Sequence, residues 1–560
     1  MIAGIDIGGT HTDAVLVKKG RIVGKSKIPT CHEDLVETLR RSLTDLTERK
    51  EAGGISRITL STTLATNALV EGMLEKTGVL VSSGPGIDPF QYAIGPAFHL
   101  IGGSVDHRGR EINPVDTRAL DRAAEECLEQ GIRVFACVAK FSPRNPAHEI
   151  IMSGHLTPHA DFITEGHRLS GMPGFPRRIA TAYYNAAVWR LFNRFADAAG
   201  STAAALGIGS DMRILKADGG TMPLAESRIL PVLSILSGPA ASIMGIQALR
   251  PQKSDAVCID IGGTTSDIFF LADGVPLFER EGIALDGRNT LVRSLFSKSI
   301  GIGGDSCIVV EAGRVIVGPR RLGPAMADGG GVATLTDALN STGRASYGDT
   351  HRSWAGIDRL AKQHDLSPGK LAEEAVSFAV ESVRGEVERL VDRINERPVY
   401  TVRELIHERR ISPGRLLLVG GPAACLEKPL GAALGIETEV PEHYAVANAI
   451  GAAFTKPTCS IELFADTAIG SLSVPALGIL KSVPARYTES DAERDAATLL
   501  VDHLKAQGVG LGDIEVEMTH KSTFSMVEGF TTIGRNIRVR CQVKPGLLYD
   551  KVDQKRGKDA

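Results

Sequence analysis

Gly4–Val15 reads GIDIGGTHTDAV, and Cys258–Phe269 reads CIDIGGTTSDIF. Both stretches carry D-I-G-G-T-x-[TS]-D behind an apolar stub, with the leading aspartates, Asp6 and Asp260, 254 positions apart. One glycine pair between two apolar runs is an ordinary hairpin turn. Two near-identical copies at a domain-scale separation predict a duplicated α/β unit with one nucleotide held between the halves. Gly8 and Gly9, and Gly262 and Gly263, would let backbone amides approach phosphate oxygens closely. Thr10, Thr12, Thr264, Thr265 and Ser266 add hydroxyls. The Asp6 and Asp260 carboxylates, fixed at strand ends, would lie beside the phosphates, and anion beside anion requires a cation. Mg²⁺ commonly takes one or two carboxylates together with phosphate oxygens, so both aspartates are metal and catalytic candidates. Asp13 and Asp267 are either bases or caps of their turns.

Working outward, residues 2–7 and 13–17 read as strands around the first turn, 21–24 as a third, and 33–50 as a helix. A strand at 58–61 leads into Thr62–Asn67, a polar cluster that opens a helix. β-rich runs at 77–82 and 132–139 bracket a helix near 116–130, an alternation that indicates an α/β fold. The pattern restarts after 175 with a helix over 178–200, the second hairpin at 256–273, and a long helix from 367 to 397 capped by Ser367 and Pro368. A buried strand, 416–419, ends in Gly420-Gly421-Pro422, where backbone could lie flat on adenosine or simply connect strand to helix. Ser299–Ser306 contains Gly303 and Gly304 and is either a second backbone cradle or a tight turn. A helix follows near 446–454. Residues 456–560 read as short strands, one amphipathic helix near 489–507 and a polar tail from Lys551 to Ala560 that is expected to be disordered.

The 560 residues exceed a single core and require several domains. A formal net charge of −3 points to neither nucleic acid nor an anionic membrane surface, and no apolar run approaches the roughly 18 residues of a membrane helix. The eight cysteines are scattered without metal-type spacing, and the chain starts directly in a strand pattern. Both features lead to the expectation of a cytoplasmic protein. His11 lies inside the first turn, facing phosphate or solvent. His148 is a packing or ligand histidine. His99 and His107, eight apart, are a weak metal signal.

The ordered set of Asp6–Asp13, Ser61–Asn67, Asp260–Asp267, Val419–Ala424 and Asn448–Ala453 resembles the actin, chaperone-ATPase and sugar-kinase superfamily. Within it, Ser61–Leu69 (STTLATNAL) is similar to the G-T-T-x-x-T-N-A-L of the hydantoinase A/5-oxoprolinase family. Arg144–Glu149 (RNPAHE), Arg178–Ala186, Asp218-Gly219-Gly220, Leu236–Ala241 and Gly301–Ser306 fit the same family over residues 2–455. This resemblance implies two ribonuclease-H-like ATPase domains, 1–175 and 176–455, flanking a nucleotide cleft, with a small α+β region at 456–560. It implies ATP and Mg²⁺ as cofactors and ATP-driven opening of a cyclic amide. Asp6 and Asp260 would hold the metal, Gly420, Gly421 and Pro422 would line the adenosine site, and Thr63, Thr66 and Asn67 would contact substrate or phosphate. It also implies a B-type hydantoinase subunit as a partner, or another homo- or hetero-oligomer. Alternatives of the same resemblance are an ATP-dependent ketone carboxylase subunit and a conformational ATPase acting on a partner protein. The sequence departs from the family at Asp305, where G-G-G-S would place glycine, and in its short C-terminal region.

Overall fold

A computed structural model describes residues 1–31, 35–48, 54–208, 211–279, 282–396, 410–510, 512, 514–549 and 552. The fold is mixed α/β. Its first sheet has the order Thr221–Pro223, Asp211–Leu215, Arg57–Thr62, Ile2–Ile7, His11–Lys18, Arg21–Pro29. Ile2–Ile7 pairs antiparallel with His11–Lys18 and parallel with Arg57–Thr62. Strands from both sides of residue 175 therefore join one sheet. A second sheet of four parallel strands, Phe162–Glu165, Val134–Ala139, Gly78–Ser82 and Ala97–Leu100, stands beside it. The helix Phe175–Ala205 packs on both sheets, contributing Ile179, Ala182 and Val188 to one core and Phe192, Ala196 and Ala199 to the other.

The second hairpin repeats the pairings of the first. Ala256–Ile261 runs antiparallel to Ser266–Ala272 and parallel to Arg415–Val419. Two helices, Ser237–Leu249 and Ala447–Phe454, lie between the hairpins, and one core joins Val15 and Val17 to Cys258 and Phe269 through them. Their sequences supply small residues where the backbones cross. A Cβ on Gly245 would lie 2.0 Å from the Ala447 carbonyl oxygen, and one on Gly451 would lie 2.0 Å from that of Ala241. Glycine at both positions sets the separation of the helices, and with it the separation of the two hairpins.

The helix expected over 33–50 spans Leu35–Glu48, with the flanking residues 33–34 and 49–50 outside the described set. The expected long helix is Pro368–Asn395, and the Ser367 hydroxyl accepts from the Lys370 amide as its cap. The C-terminal region departs from the expectation of short strands. It is a five-stranded antiparallel sheet whose last two members, Val516–Glu528 and Thr531–Val543, have 13 residues each. Most of Val516–Glu528 is exposed on both faces, so the strand lacks the apolar alternation that would mark its length. Helix Glu489–Ala506 covers this sheet. The tail expected over Lys551–Ala560 lies, Val552 aside, outside the described residues. No described helix is long and apolar enough to cross a membrane.

Candidate nucleotide and metal site

The hairpin register decides where the four motif aspartates go. Asp6 is directly opposite Asp13, and Asp260 opposite Asp267, in the two antiparallel pairs. Each glycine turn closes by the same bond: the Gly8 amide donates to the His11 carbonyl at 3.1 Å, and the Gly262 amide to that of Thr265 at 2.9 Å. The turns meet at the ends of the interposed helices. A Cβ on Gly263 would lie 3.1 Å from Thr10 Cγ2. Asn448, at the start of its helix, donates to Asp6 Oδ2 at 3.2 Å, and its amide also bonds the Asp260 carboxylate. The Ser242 hydroxyl donates to Asp260 Oδ2 at 2.6 Å.

Burial dominates the electrostatics. It pushes Asp6 up to about 7, helped by the neighbouring Asp13 and Asp260 charges, and Asp6 Oδ1 is buried without a hydrogen-bond partner. Asp260 is raised by burial against the pull of Ser242 and Asn448. Burial also raises Asp13, which Lys27 opposes from 2.7 Å. Asp267 is pushed up to about 7 by burial, with the Ser299 hydroxyl as its partner. His11 is held down by burial and by Lys27. Carboxylates raised mainly by desolvation favour the arrival of a cation.

Two further loops complete the cleft. The Gly304 amide donates to Gly262 and the Asp305 amide to Gly263, laying Gly303-Gly304-Asp305 across the second turn. The Asp305 carboxylate, raised by burial, accepts from Arg321 Nε at 3.2 Å. Gly420 adopts φ +93°, and a Cβ there would stand 2.2 Å from the Ile261 carbonyl oxygen and 2.5 Å from Asp260 Oδ1. Gly421 faces open space, and Pro422 packs next to Gly304.

Asp6, Thr10, Gly263, Gly304, Asp305, Gly420 and Pro422 thus converge. Gly9 is exposed on the first turn with open space where a Cβ would be. Thr12 points inward: it is fully buried, and its hydroxyl pairs at 2.9 Å with that of Thr30, which itself donates to the Gly8 carbonyl. Thr63 remains beside the first turn, its amide donating to the Ile7 carbonyl. Thr66 instead accepts from the Leu236 amide. Asn67 lies inside helix Leu64–Val70, bonded to Thr63.

Other singled-out motifs are scaffold. Glu149 is fully buried, accepting from the Ala139 amide and from the amide and ring of His167. His148 is buried between Ser82 and Glu111. Arg178 donates to the carbonyls of Gly166, Ser170 and Met172. His99 bonds Cys127, and no cluster of three metal-type side chains occurs among the described residues. Lys27, Ser242 and Asn448 were not singled out as site residues from sequence. Only Asn448 carried a signal, as the polar residue opening an otherwise small and apolar helix, Ala447–Phe454.

The hydantoinase/oxoprolinase family profile matches residues 178–460, and that of the hydantoinase/oxoprolinase N-terminal region matches residues 2–157. The chain is 28% identical over 461 residues to the caprolactamase subunit alpha of Pseudomonas jessenii, covering 75% of this chain and 65% of that one. It is 25% identical to the acetophenone carboxylase gamma subunit of Aromatoleum aromaticum, covering 60% of this chain and 52% of that one. It therefore spans only about half to two thirds of these relatives. Among solved structures, nucleotide-free acetone carboxylase superposes with a TM-score of 0.74 at 15% identity, covering 99% of this chain and 88% of that chain, a likeness of fold. Matched along most of its length by both family profiles, the chain belongs to the hydantoinase/oxoprolinase family.

Proposed function

We propose that this chain binds ATP between its two glycine turns and uses it to activate a cyclic amide for hydrolysis. The observation that carries this reading is the pair of buried carboxylates, Asp6 and Asp260, joined by Asn448 where the two turns face each other. Thr10, Thr264 and the turn backbones would hold phosphate oxygens. Gly420–Pro422 would border the adenosine, with Gly420 obliged to lack a side chain against Asp260. The orphaned Asp6 Oδ1 and the two strand-end carboxylates suit Mg²⁺, which draws its remaining ligands from phosphate and water. Bound there, Mg²⁺ would neutralise charge on the transferring phosphoryl group. The matching pairings of the two hairpins support a duplicated ATPase unit, with 456–560 as an appended region.

The chemistry has a plain motive. An unstrained amide is a poor electrophile with a poor leaving group. Transfer of the γ-phosphoryl group to the amide oxygen releases ADP, and the amide N–H gives up its proton. One water then adds at the activated carbon and the C–N bond breaks. A second water hydrolyses the resulting acyl phosphate to carboxylate and phosphate. Asp267 is suited to the proton, since among the described residues it has no cationic partner and it titrates near 7, whereas Asp13 is tied to Lys27. Thr63, beside the first turn, would orient the acceptor.

A second reading, an ATP-dependent ketone carboxylase subunit, is favoured by the acetophenone carboxylase relative. Both named relatives are subunits, which supports a partner chain for this one. ATP turnover measured with 5-oxoproline, a hydantoin or caprolactam should rise with stoichiometric ring opening. Turnover requiring bicarbonate and a ketone would favour the second reading. Stimulation by a protein alone would overturn both.

A further inference from the structure

A cavity of about 830 Å³ lies apart from the glycine turns, walled by residues 168–172, by Phe278, Glu279, Leu291 and Arg293, and by the C-terminal region. Its volume falls in the range of ligand sites. Arg293 is its central charge. The guanidinium stacks 4.2 Å over the ring of Phe278 and donates to the Gln542 side-chain carbonyl, a neutral partner. Among the described residues no carboxylate lies within ion-pair distance of it; Asp218 and Glu517 act on it from farther off, and burial lowers its pKa. Around it the charges do not cancel. Lys216 is matched by Asp218 at 3.2 Å. Glu462, almost fully buried, is shared through one oxygen by two guanidiniums, those of Arg538 and Arg540. The described lining carries five cationic side chains against four carboxylates, an excess of one positive charge.

One excess positive charge in a partly desolvated, partly apolar chamber is completed by an anion. A planar guanidinium fork matches a carboxylate in two parallel bonds, and Phe278 and Leu291 offer apolar wall for an attached carbon chain. We propose that this cavity binds a small organic carboxylate, seated on Arg293 with Arg540 beside it. The inference does not depend on the nucleotide reading, although a ring-opened amide would carry the required group.

The test is a ligand-observed NMR titration of the full chain with pentanoate, pentanamide and inorganic phosphate, with nucleotide affinity measured separately. Pentanoate should bind saturably and at least tenfold more tightly than the isosteric pentanamide or phosphate. Arg293→Met should weaken pentanoate at least tenfold, and Arg293→Lys by less, with nucleotide affinity unchanged in both. Equal binding of pentanoate and pentanamide, or tighter phosphate, would overturn the proposal without using any variant. So would wild-type pentanoate affinity in Arg293→Met, or displacement of pentanoate by an ATP analogue, which would place the anion at the glycine turns.

Discussion

The two D-I-G-G-T hairpins share register, turn closure and flanking strands, but their surroundings differ. At the first, Asp13 is neutralised by Lys27 from the adjacent strand, and Gly9 looks into open space. At the second, Asp267 accepts from the Ser299 hydroxyl, the Gly303–Asp305 loop covers the turn, and Gly420 is wedged against Asp260. Equal backbone frames can hold equivalent phosphate oxygens. Unequal neighbours give one side a fixed ion pair and an open edge, and the other a crowded pocket whose aspartate can exchange a proton near neutrality.

The largest effect expected from this asymmetry is catalytic. Asp260→Asn should lower ATP turnover by at least about 10³-fold, a barrier increase of roughly 4 kcal/mol, with the thermal midpoint kept within a few degrees. Turnover within tenfold of wild type would break the assignment of both turns to one nucleotide. Next is a stability contrast between the hairpins. Gly420→Ala puts a Cβ into the Ile261 carbonyl at positive φ, and should cost about 3 kcal/mol in chemical denaturation. Gly9→Ala, with nothing in reach, should cost under about 0.5 kcal/mol, so its effect would be confined to nucleotide affinity.

A third prediction concerns pH. Asp6 and Asp267 titrate near 7 in the fold, against an ordinary value of 3.8. Between those values the folded protein holds protons that the unfolded chain has released, so stability falls as pH rises from about 4 to 7. Calorimetry without divalent metal should show the midpoint dropping by several degrees across that window. Asp6→Asn should flatten the drop, and an unchanged slope in that variant would remove Asp6 from the buried pair. A modest effect is expected from Ser299→Ala, which takes the hydroxyl donor from Asp267 and should cost about 1 kcal/mol. In the proposed mechanism it should also move the pH profile of turnover upward. The same profile in Lys27→Met would show which hairpin supplies the base.

The repeated motif made the hairpins, their aspartates and their glycines legible, because period-two apolar strands around a Gly-Gly turn have few other solutions. The same letters did not reveal which hydroxyls face the cleft. Thr12 belongs to the turn but alternates inward on its strand, where Thr30, 18 residues later, receives it. Thr66, expected to contact substrate or phosphate, has its hydroxyl engaged as acceptor by the Leu236 amide, 170 residues away. Glu149 and Arg178 fall in family motifs, yet they satisfy buried backbone polar groups, which is as strict a demand on sequence as chemistry is.

By itself, the sequence determined the local frames: two strand–turn–strand units, the long capped helix at 368, and small residues in Ser237–Leu249 and Ala447–Phe454. These follow from steric rules acting over a few residues. Only the tertiary structure decided that Asn448 would hold Asp6, that Asp305 would lie over Gly263, and that Arg293 would stack on Phe278 in a cavity wall. Such meetings depend on how closely Gly245 and Gly451 let two helices cross, a distance set by packing across hundreds of residues and not by any one stretch of chain.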